Sequence, residues 1–63
     1  MSKRTFIARY KFLDGTGYAS RTVAENIEVA ADIARIDIHL KLKDECETHG
    51  RVIAVSVQET IAP

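Results

Sequence analysis

Apolar and polar positions change their period twice along this chain, and the changes divide it into elements. Over residues 5–13, Phe6, Ala8, Tyr10 and Phe12 alternate with Ile7, Arg9 and Lys11, the period of two that sends successive side chains to opposite faces of a strand. Asp14-Gly15-Thr16-Gly17 follows; glycine takes φ > 0 without steric cost, so this segment predicts the turn of a hairpin. Residues 18–25 form the second arm, with a register open by one residue according to whether Gly17 makes a bulge. Near the far end Ile53, Val55 and Val57 alternate with Ala54, Ser56 and Gln58, which predicts a third strand over residues 52–61.

The middle segment carries two periods at once. Residues 36–43 alternate strictly, a strand pattern if taken alone. In the wider window Val29, Ile33, Ile36 and Leu40 fall on one face of a helix, and Ile27, Ala31, Ala34, Ile38 and Leu42 make a second stripe nearly opposite. Two interleaved helical stripes produce apparent alternation where both are occupied. Asn26 is a good N-cap, Glu28 suits the first turn, and Gly50 stands where a C′ glycine belongs. No Gly, Pro or Asn lies between Asn26 and Gly50 to supply a turn. The pattern therefore predicts one helix over residues 27–49; the alternative is a short helix followed by a fourth strand over residues 35–43.

A hairpin, a crossover helix and one more strand place the last strand beside the first. The expected fold is α+β, β-β-α-β, a three-stranded antiparallel sheet of order 2-1-3 with one long helix on one face, in a single domain over residues 1–63. Its expected core is Phe6, Tyr10, Phe12, Ile33, Ile36, Leu40, Val55 and Val57. With that face inward, the stripe Ile27, Ala31, Ala34, Ile38 and Leu42 points outward, a contiguous apolar surface that calls for a partner.

Size makes the same demand. Sixty-three residues build a core that supplies only ~3–5 kcal/mol unless something adds to it. Cys46 is the only cysteine, so no intrachain disulfide forms, and one thiolate with two scattered histidines makes no structural zinc site. Association remains. A two-fold interface needs only one self-complementary stripe, so a homodimer through Ile27, Ala31, Ala34, Ile38 and Leu42 is expected, with the two alanines where the helices cross. No apolar run long enough to span a membrane and no signal-like opening occur, so the expectation is a cytoplasmic protein without a membrane partner.

The chain is neutral overall only because its halves oppose each other. Residues 1–21 hold five Lys and Arg against one Asp (5 − 1 = +4), and residues 22–63 hold four against eight Asp and Glu (4 − 8 = −4). If Tyr10 and Phe12 face the core, Arg9 and Lys11 face the open side of the sheet. With Arg21 they are the candidate contacts to an anion or nucleic acid. A pI of 6.7 and the absence of a clearly exposed aromatic for base stacking weigh against that use.

Catalysis finds little support. Cys46 and His49 stand at i, i+3, but Asp44, Glu45 and Glu47 surround them, and acidic neighbours at a helix C-terminus are the wrong setting for a reactive thiolate. On a helix the donors of this stretch spread around the axis and do not converge on a metal. Asp14-Gly15-Thr16-Gly17 leads into a strand and not a helix, so it is no phosphate loop. No catalytic residue, cofactor or metal is expected. The expected function is a non-enzymatic protein-interaction module, a small homodimer that binds or inhibits a partner protein. The alternative is a small dimeric nucleic-acid-binding protein using Arg9, Lys11 and Arg21.

Overall fold

The computed structural model describes residues 3–60. Strand β1 (Arg4–Phe12) and strand β2 (Gly17–Ala24) form the hairpin, helix α1 (Ile27–Leu40) and helix α2 (Lys43–His49) follow, and strand β3 (Val52–Glu59) closes the order. The sheet is antiparallel throughout, ordered β2-β1-β3, as expected. At the hairpin the Phe12 amide donates to the Thr16 carbonyl (2.9 Å) and the Gly15 amide to the Phe12 carbonyl (2.9 Å). Gly15 itself takes φ 92°. A type I turn closed by a left-handed glycine has this bonding, so Gly15, not Gly17, absorbs the unusual conformation. The bulge lies elsewhere: Lys11 pairs with Ala54 but Phe12 pairs with Val52, leaving Ile53 as the extra residue of β3.

Alternation along β1 works as expected. Phe6, Ala8, Tyr10 and Phe12 are buried against the helix. The helix that covers them departs from expectation in two ways. It is not one helix over residues 27–49, and no fourth strand replaces its second half. Helix α1 ends at Leu40 and α2 starts at Lys43. At the break the Leu42 amide donates to the Asp37 carbonyl five residues back (2.9 Å), while the Lys41 amide reaches the same oxygen (2.8 Å). One extra residue in a turn bends a helix without any glycine or proline. The cause is the sequence of the inward face. An unbroken helix would continue from Ala30, Ala34 and Asp37 to Lys41 and Asp44 or Glu45, all polar. The added residue advances the inward stripe by one, so Leu42 (1% exposed) and Cys46 meet the Phe12 end of the core instead.

The second departure is rotational. Ala30 and Ala34 are fully buried, and together with Asp37 they form the line of α1 that touches the sheet. At ~100° per residue the two aliphatic stripes lie roughly 80–90° to either side of that line, so neither is the inner face. Expected core members Ile36 (55% exposed), Leu40 (69%) and Val55 (40%) are exposed, and Ile33 and Val57 are half-buried. Expected outer members Ala34 and Leu42 are buried instead. Small residues at the contact allow close approach of helix to sheet, and the branched residues splay over the flanks.

The far end of the molecule is tied down through the backbone. The Leu13 amide donates to the Arg51 carbonyl (2.9 Å) and the Asp14 amide to the His49 carbonyl (3.1 Å), joining the hairpin turn to the α2–β3 corner. Gly50 between them has φ 91° and ψ 177°, a region open essentially to glycine alone. A Cβ there would also stand 2.8 Å from the Leu13 Cβ.

Two stability tests follow from this packing. Leu42→Ala should cost ~2–5 kcal/mol, most of what so small a domain has, whereas Ile36→Ala should stay within about 0.5 kcal/mol of the parent, as surface changes do; urea midpoints decide between them. Tyr10 offers the opposite sign. Its buried hydroxyl has no hydrogen-bond partner among the described residues. Burial raises its pKa, the Ser20 side chain opposes that shift without reaching normal bonding geometry, and buried Asp37 adds to it. Tyr10→Phe removes an unsatisfied group and should raise the melting temperature by about 4–8 °C, the equivalent of about 1 kcal/mol in a domain of this size.

Candidate functional site

The structure disperses the surface expected to join two copies. Of Ile27, Ala31, Ala34, Ile38 and Leu42, only Ile27 is well exposed; Ala31 and Ile38 are half-buried, and Ala34 and Leu42 belong to the core. What this flank of α1 does form is one wall of a groove. Ile27, Ala31 and Arg35, one turn apart, face Val55 and Val57 of β3 across a cleft of about 450 Å³. Beyond those valines β3 is an edge strand, with no further strand beside it among the described residues.

Pairing geometry defines what that edge offers. The Thr60 amide donates to the Thr5 carbonyl (2.9 Å), which marks Thr5–Thr60 as a hydrogen-bonded pair. In an antiparallel ladder such pairs alternate, so Ile7–Gln58, Arg9–Ser56 and Lys11–Ala54 are bonded as well. Val55, Val57 and Glu59 therefore turn their N–H and C=O groups away from β1. The residues Val52–Glu59 include no Pro, Lys or Arg, so the edge is guarded only at its two ends, by the bulge at Ile53 and by Glu59. By the same rule the β2 edge presents the backbone of Ala19, Arg21 and Val23.

The open face of the sheet carries the three cations that the sequence singled out. Pairing places Thr5, Ile7, Arg9 and Lys11 of β1, Gly17, Ala19, Arg21 and Val23 of β2, and Ala54, Ser56 and Gln58 of β3 on the side away from α1. None is acidic, and Arg9, Lys11 and Arg21 are all exposed and enter no ion pair among the described residues. Arg9 stands between Ala19 and Ser56, and Lys11 between Gly17 and Ala54, so both rise from low ground. Glu59, on the helix side, pairs instead with Arg4 (3.6 Å).

Near α2 the chemistry is structural. Cys46 is half-buried and lies with Ile38 and Val52 on the floor of an open cleft of about 570 Å³, rimmed by His39, Lys43, Glu47 and Arg51. His49 turns to the hairpin turn instead of to the thiol. Its Nδ1 lies 2.8 Å from Asp14 Oδ2, its Nε2 lies 3.7 Å from Glu45 Oε2, and its ring packs on Phe12 with centroids 5.6 Å apart. Asp14 also accepts from the Thr16 hydroxyl (2.6 Å) and the Thr16 amide (3.0 Å). Asp14 and His49 are 35 residues apart in sequence, and only the turn-to-corner backbone bonds bring them together, which is why no local pattern announced the pair. Among the described residues no group of three or more His, Cys, Asp or Glu is placed to hold a metal ion. No helix among them is long and apolar enough to cross a membrane.

No family model matches this chain, and no match was found among curated proteins or solved structures.

The Asp14 carboxyl is held at about 2, down from 3.8, first by the Thr16 hydroxyl, then by the Thr16 amide, with His49 adding less. A carboxylate whose folded pKa lies below its unfolded value contributes stability above the unfolded value and loses it as pH falls through the folded one. The difference in urea midpoint between the parent and Asp14→Asn should therefore hold steady from about pH 5 to 4 and close as pH approaches 2. A gap that persists unchanged at about pH 2 would show that the carboxylate is not what secures the turn.

Proposed function

We propose that this chain is a non-enzymatic protein-binding module that works inside the cell as a symmetric homodimer, joined edge to edge through β3. The observation that carries the proposal is the free β3 edge, whose outward backbone groups belong to Val55, Val57 and Glu59 and whose flank opens into the apolar groove under α1. The other element of the reading, the lack of catalysis, draws support from His49: both ring nitrogens face carboxylates and neither faces Cys46.

Self-pairing is restricted by which groups point outward. An antiparallel pair of β3 strands can bond only where outward groups meet outward groups, which places the two-fold axis at Val55, Ser56 or Val57. In each register the apolar Val55 and Val57 occupy the centre of the seam and no like charges stand directly opposite each other. The β2 edge is less favourable. Its self-pairing places Arg21 opposite or diagonal to the other Arg21, with no acid in Gly17–Ala24 to relieve it. A β3 dimer makes one six-stranded sheet with both helices on the same side, and the two grooves merge over a floor of valines. The opposite flank of α1, where Val29, Ile36 and Leu40 are exposed, is left as the apolar ridge for a partner protein.

Sedimentation across a wide concentration range tests the association. The parent should show a monomer–dimer equilibrium, and Val55→Lys should shift it to monomer by placing a charge in the apolar groove that the dimer closes. Leu40→Glu, on the other flank, should leave it unchanged. A parent that stays monomeric, or a dimer lost in Leu40→Glu and kept in Val55→Lys, overturns the proposal.

A further inference from the structure

The open face of the sheet has a composition that dimerisation through β3 leaves untouched. Its charged side chains are all positive, Arg9, Lys11 and Arg21, and the acidic residues of the second half of the chain sit on the helix side or at the loops. Positions two apart on a strand are separated by ~7 Å and neighbouring strands by ~4.8 Å. Arg21 pairs with Ile7, the position two before Arg9 on β1. The three cations therefore occupy one diagonal patch across the hairpin, over ground made of Gly17, Ala19, Ala54 and Ser56. Low ground admits a bulky anion. Phe6, Tyr10 and Phe12 point to the helix side and are buried, and Tyr18, opposite Tyr10, is the one exposed aromatic among them, at the β2 margin of the face.

We propose that this face binds the sugar-phosphate backbone of a duplex nucleic acid, without reading its sequence. Cations without acidic neighbours supply phosphate contacts. The lack of an aromatic platform removes the stacking on which recognition of single strands relies. Apart from the cations, which the phosphates would occupy, the one side chain on the face suited to base edges is Gln58, at its β3 margin. Each chain carries one such patch. In the β3-paired dimer of the preceding proposal, β1 and its copy stand three strand spacings apart, ~14 Å, close to the ~12 Å width of a DNA major groove. The two patches can then engage phosphates on both of its banks. The binding itself needs only the monomer's face, and the doubling alone rests on the dimer.

The test is fluorescence anisotropy of the full chain with a labelled random-sequence DNA duplex and, as separate arms, a single strand of the same length and vesicles containing anionic phosphatidylserine. Binding to the duplex at about 50 mM salt should weaken roughly 40-fold by about 200 mM if one chain's three cations engage, and roughly 2,000-fold if a dimer's six do. The salt slope thus reports on the face and on the dimer separately. Combined Arg9→Ala, Lys11→Ala and Arg21→Ala should abolish binding while the thermal transition stays intact, since all three side chains are exposed. Lys43→Ala, which removes a cation on the helix side, should change affinity less than about threefold, the long-range share of one charge. The proposal is overturned by absence of duplex binding at low salt, by binding that survives the triple variant, by preference for the single strand, or by binding to the vesicles alone.

Discussion

One helix has to close a sheet that is wider than it is. An α-helix with its side chains is ~10–12 Å across, and three strands span about 10 Å between outer axes before their own side chains are added. Helix α1 packs against all three strands, but it can shield completely only what lies beneath its axis, the Phe6-Ala8-Tyr10-Phe12 line of β1. Everything else follows from that shortfall. Contact residues on the helix must be small, hence Ala30 and Ala34, so that it sits low over the aromatic rings. Large aliphatic residues are displaced to the flanks, where they cover the margins of the sheet without reaching its edge. The β3 strand, whose described residues are all exposed or half-buried, is the margin left over.

The break between α1 and α2 answers a related constraint along the sheet instead of across it. By Asp37 the inward line of α1 is about to run into charged residues, while Leu42 and Cys46 stand one position out of phase. An amide-to-carbonyl bond spanning five residues corrects the phase and places Leu42 against Phe12. The α2–β3 corner is then near enough to the hairpin turn for Leu13, Asp14, His49 and Arg51 to be joined by backbone bonds, with Gly50 in a conformation that other residues resist. Core packing, the helix break and the Asp14–His49 contact are thus one arrangement, and the groove beside β3 is what that arrangement leaves open on its other side.

Charge is distributed by the same geometry. Alternation sends Arg9 and Lys11 away from the helix because Tyr10 and Phe12 are needed beneath it, and the hairpin register then sets Arg21 on their side. The acidic residues collect on the helices, in the turns and, as Glu59, at the end of β3. A chain with no net charge is left with two unlike faces, and edge pairing through β3 would extend both faces without mixing them.

Most of the fold was legible in the sequence because its determinants are local. The period of two in residues 5–13, the Asp14-Gly15 turn and the Asn26 cap, whose side chain accepts from the Val29 amide at 2.9 Å, define the elements by themselves. So does the placement of Arg9, Lys11 and Arg21 on one face, given strands of known parity. Two aliphatic stripes on α1 were equally visible, but which of them faced the sheet could not be read from hydrophobicity. The answer was neither, since the closest approach went to Ala30 and Ala34, residues that a hydrophobic count ranks below their neighbours. The phase slip at Leu42 and the pairing of Asp14 with His49 depend on how two distant segments meet, and the outward backbone groups of β3 depend on which strand it bonds. These were decided only in three dimensions, because packing distance and hydrogen-bond parity are properties of pairs of elements and not of any one of them.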